Sequence, residues 1–198
     1  MGRMDYKRRK GVNKAVVAVI CIAVAAVVVL ACIFVLMPQI ERNQYKLEYA
    51  DLIEKYSDRY GLDPYFVAAI IHTESGFDPE AVSGAGAMGL MQVVPETGEW
   101  IAGKLGLENF TANDLLNPET NIEMGCWYLQ FLQERFDTLP VIMAAYNAGH
   151  NKVKEWLADP RYSDDGTNLT NIPYGETDNY VKKVTKAYEK YKELYELG

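Results

Sequence analysis

The feature that most constrains this chain is an uninterrupted apolar run near its N-terminus. Residues 15–37 read AVVAVICIAVAAVVVLACIFVLM, which is 23 residues without a charge or a proline. A helix needs about 20 such residues to cross a bilayer. A secretory signal has a shorter apolar region of roughly 7–15 residues, followed by a small-residue cleavage site, and no convincing site of that kind follows here. The run therefore predicts a retained membrane anchor, in preference to a cleaved signal or a buried helix of a soluble domain.

The charges around the run give it an orientation. Residues 1–14 carry six basic side chains and one acidic side chain. Basic residues stay on the cytoplasmic side of a membrane helix. We therefore expect a cytoplasmic basic segment at 1–14, a single-pass transmembrane anchor at 15–37, a link at 38–43 and an extracytoplasmic domain at 44–198.

Cys32 offers a different way to attach the chain to the membrane. Residues 29–32 read VLAC and loosely resemble a lipoprotein processing site. The residues that follow, IFVLM at 33–37, continue the apolar run where a lipidated mature protein would begin with polar residues. A transmembrane helix is therefore favoured, and lipidation of Cys32 stays open.

Charge and composition exclude several function classes for the outer domain. Residues 15–198 carry 14 basic and 26 acidic side chains, a net charge of −12. Phosphate backbones call for Lys and Arg surfaces, so nucleic acid is not an expected partner. The two histidines, His72 and His150, are far apart in sequence, and we expect neither a metal site nor a cofactor. Cys126 is alone outside the anchor, so it is expected to be a small buried apolar residue.

Apolar spacing and helix-capping signals predict a nearly all-α outer domain. Asp63-Pro64 and Asn117-Pro118 each pair a capping side chain with a proline suited to the first turn, and Gly149 is typical of a helix end. Little strict alternation of apolar and polar residues is present to favour strands. The predicted helices cover about residues 44–60, 64–75, 95–105, 117–135, 138–148, 151–157 (capped by Asn151) and 177–197.

Glu74 is the candidate catalytic residue. It ends an apolar helix whose residues 64–71 read PYFVAAII, and a glycine-rich loop follows. A carboxyl group held in a cleft by such a surface is poorly solvated, and desolvation raises its pKa. An acid still protonated near neutral pH can give a proton to a leaving oxygen, as glycoside cleavage requires. Taken alone, a glutamate at a helix end is more often an ordinary surface residue.

The loop after Glu74 is the second candidate element. Residues 83–92 read SGAGAMGLMQ. Glycines let a backbone approach a ligand closely, Gln92 offers a donor and an acceptor, and Met91 offers adaptable apolar contact. The alternative is a tight connection between two helices, with Met91 in the core.

Two later segments complete the set. Residues 144–149 read AAYNAG and place Tyr146 and Asn147 just before a glycine. Their ring, hydroxyl and amide could bind an N-acetyl sugar, or the segment could simply end a helix. Glu176 precedes the last helix, where it either caps that helix or orients a group in a cleft.

Together these segments resemble the catalytic domain of the lytic transglycosylases of the soluble type, within the lysozyme superfamily. The resemblance is carried, in the family's order, by ESGFDPEAVS at 74–83, GAMGLMQVVPET at 86–97, AYNAG at 145–149 and PYGETDNYV at 173–181. It covers roughly residues 45–190 and departs at no motif position. The surroundings differ, because we expect an anchor in the bacterial cell membrane and no large accessory superhelical domain.

The resemblance implies a lysozyme-like helical domain that acts on peptidoglycan glycan strands. Glu74 would act as general acid and then as base on the β-1,4 bond between N-acetylmuramic acid and N-acetylglucosamine, and leave 1,6-anhydromuramoyl ends. Tyr146 would be the most direct helper of the transition state. By the same resemblance, the residues that line the cleft or stand near Glu74 are Ser83, Met91, Gln92, Tyr146, Asn147, Glu176 and Tyr180.

Two other functions stay open. A hydrolysing muramidase would need a second carboxylate as nucleophile or as base for water, and Asp78, Glu96 and Glu176 are the available candidates. An inactive wall-binding scaffold would use the same cleft without cleavage. Protein partners are not indicated by the sequence.

Overall fold

A computed structural model describes residues 13–197, and over that range the protein is helical, without a named strand. Two isolated β-bridges, Val82 with Met88 and Met88 with Val93, lie in the loop that follows α3. The chain divides into two compact units after Gln44. The helices are α1 Lys14–Gln44, α2 Ala50–Tyr60, α3 Pro64–Glu74, α4 Pro95–Leu105, a 3-10 turn Ala112–Leu116, α5 Pro118–Gln133, α6 Leu139–Ala148, α7 His150–Leu157 and α8 Gly175–Leu194.

The first unit is α1, a helix of 31 residues whose most apolar 18-residue window has a mean hydropathy of 3.4. Among the described residues it is the one helix long and apolar enough to cross a membrane. It continues through Pro38 to Gln44, so the link expected at 38–43 is helical. Proline removes one helical hydrogen bond without obliging the helix to stop. Of the basic segment expected at 1–14, residues 1–12 lie outside the described residues.

Local start signals fixed several helices of the second unit. Asp63 accepts a hydrogen bond from the Tyr65 N–H at 2.9 Å, and Asn117 accepts one from the Thr120 N–H at 3.1 Å. Both helices then begin on proline. The expected bounds of α4, 95–105, are confirmed. Short-range capping decides such boundaries, which is why the sequence predicts them well.

Two helix starts differ from the expectation. α7 begins at His150, directly after Gly149 with a φ of 87°, so Asn151 is not its cap. α2 begins at Ala50 and not near residue 44. The backbone before it is held from a distance, because the Tyr195 and Tyr191 hydroxyls donate to the carbonyls of Tyr45 and Lys46 at 2.9 and 2.8 Å.

α3 is the central helix of the second unit. Its residues 66–71 are all buried, and it packs against α2 and α8. A helix that is apolar on every side is stable only when other elements surround it. Burial of α3 therefore fixes the position of its last residue, Glu74, where the helix ends and the loop begins.

Candidate active site

Glu74 lies at the C-terminal end of α3, where α8 crosses it. The Tyr180 hydroxyl on α8 donates a hydrogen bond to Glu74 Oε1 at 2.7 Å. Tyr180 itself is buried, so this bond is shielded from water. A residue that lies 106 positions further along the chain thus orients the Glu74 carboxyl group.

The surroundings of Glu74 keep its carboxyl group close to half protonated at neutral pH. Burial raises the pKa of Glu74 to about 7, while the hydrogen bond from Tyr180 lowers the pKa and opposes part of that rise. Desolvation disfavours the charged form of a carboxyl group, whereas a donor stabilises it. A group poised in this way can both give and accept a proton near pH 7.

A polar cavity of about 310 Å³ opens beside this carboxyl group. We call it the acid pocket. α3, α6 and α8 supply its walls, so helices that are distant in sequence build it together. Its lining residues are Thr73, Glu74, Asn147, Glu176, Asn179, Tyr180 and Lys183.

Asn147 joins the acid pocket to a second cavity. The Thr177 hydroxyl donates to Asn147 Oδ1 at 2.7 Å, and this bond ties the end of α6 to the first turn of α8. Thr177 is buried. Asn147 lines both cavities, and its side-chain oxygen is already engaged by Thr177.

The second cavity has a volume of about 250 Å³, and we call it the aromatic pocket. Tyr128 and Tyr146 form one wall, with ring centroids 5.6 Å apart. The lining residues are Gln92, Val93, Val94, Thr97, Ile101, Tyr128, Tyr146, Asn147, Ala148 and Gly149.

The polar side chains at this pocket mostly hold the backbone of the loop. Gln92 Nε2 donates to the carbonyls of Ala81 and Gly89 at 3.1 and 2.9 Å. Ser83 is exposed, accepts from the Ala87 N–H at 3.0 Å and is not among the lining residues of either cavity. Their expected role as sugar contacts stays a prediction for Gln92, while Ser83 lies apart from both pockets.

The expectation that the Met91 side chain lines the cleft is wrong. Met91 is fully buried and fills the space beside Gly125 on α5, where a Cβ atom would overlap the Met91 sulfur. Its carbonyl accepts a hydrogen bond from the Tyr146 hydroxyl at 2.8 Å. The Tyr146 hydroxyl therefore holds the loop, while its ring faces the aromatic pocket.

Asn121 on α5 is a residue that the sequence reasoning missed. It is fully buried and accepts from the Met91 N–H at 2.7 Å. Its amide donates to the carbonyls of Met88 and Leu115 at 2.9 and 2.7 Å. Gly89, with a φ of 75°, packs so closely that a Cβ atom there would overlap the Leu115 carbonyl and the Asn121 amide. A single buried amide thus fixes the loop, and a lone asparagine in a helix gave no signal of it.

Of the other candidate carboxylates, only Glu176 lines either of these cavities. Glu176 is exposed on the first turn of α8. Asp78 accepts from the Glu80 N–H at 2.9 Å in a local turn, and Glu96 is exposed at the start of α4. The choice of a second carboxylate therefore narrows to Glu176.

Cys126 and His72 line neither of the two cavities. Cys126 is fully buried, as expected, and burial raises the pKa of its thiol. His72 packs its ring 4.9 Å from that of Tyr45. Its Nδ1 is buried without a hydrogen-bond partner. Burial lowers the pKa of His72.

The family follows from comparison of the chain with known proteins. The transglycosylase SLT domain model matches residues 51–169, more than half of the chain. This chain belongs to the transglycosylase SLT family. The match includes Glu74, Gln92, Tyr146 and Asn147, and α8 adds Tyr180 from beyond the matched residues.

Relatives of this SLT protein include soluble and membrane-bound members. It is 34% identical over 152 residues to the soluble lytic murein transglycosylase of Escherichia coli K12, and the aligned region covers 75% of this chain and 23% of that protein. It is 36% identical over 166 residues to membrane-bound lytic murein transglycosylase C of Actinobacillus pleuropneumoniae, which covers 73% of this chain and 46% of that protein. The chain thus spans less than half the length of these curated relatives.

Solved structures confirm the helical fold expected for the SLT domain. The crystal structure of the 70-kDa soluble lytic transglycosylase of E. coli superposes with a TM-score of 0.69 at 30% identity, and covers 77% of this chain and 25% of that one. An inactive mutant of lytic transglycosylase Slt from Pseudomonas aeruginosa gives a TM-score of 0.66 at 30% identity, and covers 76% of this chain and 25% of that one.

Proposed function

We propose that this protein is a membrane-anchored lytic transglycosylase that cleaves the β-1,4 bond between N-acetylmuramic acid and N-acetylglucosamine in peptidoglycan. The observation that carries the proposal is the half-buried carboxyl group of Glu74, whose pKa is raised to about 7 beside an open polar cavity. The names of the relatives, soluble and membrane-bound lytic murein transglycosylases, support the same substrate.

Bond cleavage begins with Glu74 as general acid. Its protonated carboxyl group gives its proton to the glycosidic oxygen, the bond to the anomeric carbon of the muramoyl residue breaks, and the N-acetylglucosamine side leaves with a free 4-hydroxyl. Positive charge develops at the anomeric carbon. The newly formed Glu74 carboxylate lies beside that charge and stabilises it, and the Tyr180 hydrogen bond keeps the carboxylate in place.

The same group then acts as base. The muramoyl 6-hydroxyl attacks the anomeric carbon, Glu74 takes the hydroxyl proton, and a 1,6-anhydro ring closes. The enzyme returns to its starting protonation state and no water is consumed. A group with a pKa close to the working pH suits both steps, because neither of its protonation states is rare.

The other site residues have supporting roles in this proposal. The Tyr146 ring and the Asn147 amide bind the sugar at the junction of the two pockets, and Gln92 and the loop backbone bind the adjacent sugar. Glu176 contacts substrate at the open side of the acid pocket. These roles follow from position in the cavities and from the family resemblance.

A hydrolysing muramidase is the nearest competing function, with Glu176 as the second carboxylate. Cleavage of purified sacculi in water enriched in oxygen-18 separates the two. We expect muropeptides with 1,6-anhydro ends and no incorporated label, measured by mass spectrometry. Reducing ends that carry oxygen-18 would replace this proposal with hydrolysis.

The anchor and its orientation form a second part of the proposal. α1 crosses the bacterial cell membrane once, with the N-terminus in the cytoplasm and the domain from residue 45 outside. The apolar α1 and the membrane-bound relatives support this arrangement. Protease added to intact spheroplasts should digest the domain; a domain that becomes accessible only after lysis would reverse the orientation.

A further inference from the structure

The acid pocket contains one cation whose charge the proposed chemistry does not use. Lys183 lines the cavity together with Glu74 and Glu176. The remaining lining residues there are neutral. An ammonium group in this position adds a strong donor of hydrogen bonds to a cavity that is otherwise rich in acceptors.

The sequence of α8 leaves Lys183 without an acidic neighbour on its own face. On a helix surface, side chains three and four positions apart are neighbours. Glu176 lies seven positions away, two turns and about 10 Å along the axis. The residues at the neighbouring positions are Asn179, Tyr180, Lys186 and Ala187, none of which is acidic.

The adjacent lysine shows the usual arrangement. Lys182 donates to Asp178, four positions earlier, at 2.6 Å. Among the described residues, the side chains of Lys183 and Asn179 have no recorded hydrogen bond or ion pair, and both line the acid pocket one turn apart. α8 thus pairs one of two consecutive lysines and leaves the other available beside Glu74.

We propose that Lys183 and the Asn179 amide bind a carboxylate on the muramoyl side chain of the substrate and thereby favour muramoyl glycan that carries this charge over neutral glycan. This inference rests on the proposed function. The sugar backbone of peptidoglycan is neutral, whereas the lactyl group carries either a free carboxylate or a peptide with carboxylates of its own. Residues 15–198 have a net charge of −12, which repels such a substrate. A local cation offsets that repulsion and gives specificity for the charged group.

The test compares tetrasaccharides that differ in the charged groups that they carry. We would use the full chain in detergent with the Glu74→Gln change, so that binding is measured without cleavage. The probes are a muramoyl tetrasaccharide with peptide stems, the same tetrasaccharide after amidase treatment, which bears lactyl carboxylates, and the neutral N-acetylglucosamine tetramer. Lys183→Gln is the variant. Lys186→Gln, exposed on the same helix and outside the pocket, is its matched control.

We expect Lys183→Gln to raise the dissociation constant for the peptide-bearing probe roughly two- to fivefold, as for an exposed ion pair, and to leave the neutral tetramer unchanged. Lys183→Glu should raise it further. A rise confined to the peptide-bearing probe assigns the peptide carboxylate, and a rise with the amidase-treated probe as well includes the lactyl carboxylate. Equal effects on all three probes, no effect, or the same effect from Lys186→Gln would overturn the inference.

Failure of the proposed function has a different signature. Wild-type protein that binds all three probes but releases no anhydro product from sacculi would contradict the reaction, whatever Lys183 does. Wild-type protein that cleaves normally, with Lys183→Gln changing the dissociation constants of the charged and neutral probes equally or not at all, would contradict only the carboxylate site.

Discussion

The two pockets that meet at Asn147 use polar side chains in opposite ways. In the acid pocket the groups that could act on a ligand are exposed to the cavity, and Glu74 is held by a single hydroxyl from Tyr180. At the aromatic pocket, Gln92 and Tyr146 donate hydrogen bonds to loop carbonyls. The proposed chemistry would therefore depend on side chains at one end of the cleft, and on a precisely held backbone at the other.

The largest expected effect tests the acid pocket alone. Glu74→Gln keeps the shape of the side chain but removes the proton donor and acceptor, so the cleavage rate should fall about 10²–10⁴-fold or more. Release of soluble muropeptides from sacculi is the measurement. Glu176→Gln is the matched control and should lose much less.

Equal losses in these two variants would support a paired-carboxylate mechanism. If wild type and Glu74→Gln are equally inert while both bind sacculi, the protein is a scaffold and the comparison between the pockets has no catalytic meaning.

The next effect tests the aromatic pocket. Asn121→Ala removes two hydrogen bonds to the loop backbone and one to the Leu115 carbonyl of the 3-10 turn, and leaves buried groups unpaired, so the free energy of unfolding should fall by about 3–5 kcal/mol. Urea unfolding of the full chain in detergent is the measurement. Asn113→Ala, exposed in the 3-10 turn, should change it by less than about 0.5 kcal/mol. A similar cost for both variants would show that the loop does not depend on Asn121.

The pH dependence of the free energy of unfolding measures how much the burial of the Glu74 carboxyl group destabilises the protein. The pKa of Glu74 in the folded state, about 7, lies above its ordinary value of 4.5, so the folded state binds more protons than the unfolded state between these two pH values. The contribution of this group to stability should therefore be fully present below pH 4.5 and should decline by about 3 kcal/mol as the pH rises to 7. The difference in unfolding free energy between wild type and Glu74→Gln should change by that amount between pH 4.5 and 7.5. A pH-independent difference would mean that Glu74 is well hydrated.

The hydroxyl groups of Tyr180 and Tyr146 allow the two pockets to be compared by the same substitution, tyrosine to phenylalanine. Tyr180→Phe removes the hydrogen bond that lowers the pKa of Glu74, so the pH profile of cleavage should move to higher pH. The activity should fall about tenfold or less, because the carboxyl group keeps its proton but loses its orientation. Cleavage rates from pH 5 to 9 give the profile. An unmoved profile would place Tyr180 in packing only.

Tyr146→Phe is the counterpart and has the smallest expected effect. It removes one hydrogen bond to the Met91 carbonyl, which should cost about 1 kcal/mol of stability. The pH profile should keep its midpoint, since that hydroxyl does not touch Glu74. Thermal unfolding and the same pH series measure both. A shifted midpoint would contradict the separation of roles between the two pockets.

Local signals predicted the helices, and they did so because their causes are local. Proline after Asp63 or Asn117 fixes a first turn within three residues, and α3 carries Glu74 to its end as expected. The start of α2 was wrong because its determinants, Tyr191 and Tyr195, lie about 145 positions further along the chain.

The residue types in the loop at 83–92 identified candidate site residues, but they did not indicate which groups these residues contact in the folded protein. Met91 could be either a core or a cleft residue, and Gly125 on α5 decides for the core. Gln92 was a candidate sugar ligand because its amide has donors and acceptors, yet the folded loop already engages its donor. Such choices depend on which polar groups meet across long sequence separations, and the pattern of residue types does not contain that information.

The hydroxyl of Tyr191 grips the Lys46 carbonyl just after the apolar helix, and the same α8 presents Tyr180 to Glu74. The two contacts are eleven residues apart, about 16 Å along one rigid rod. If α1 anchors the chain in a membrane as proposed, tension on that anchor would reach, through Lys46 and Tyr191, the helix that positions the Glu74 carboxyl group.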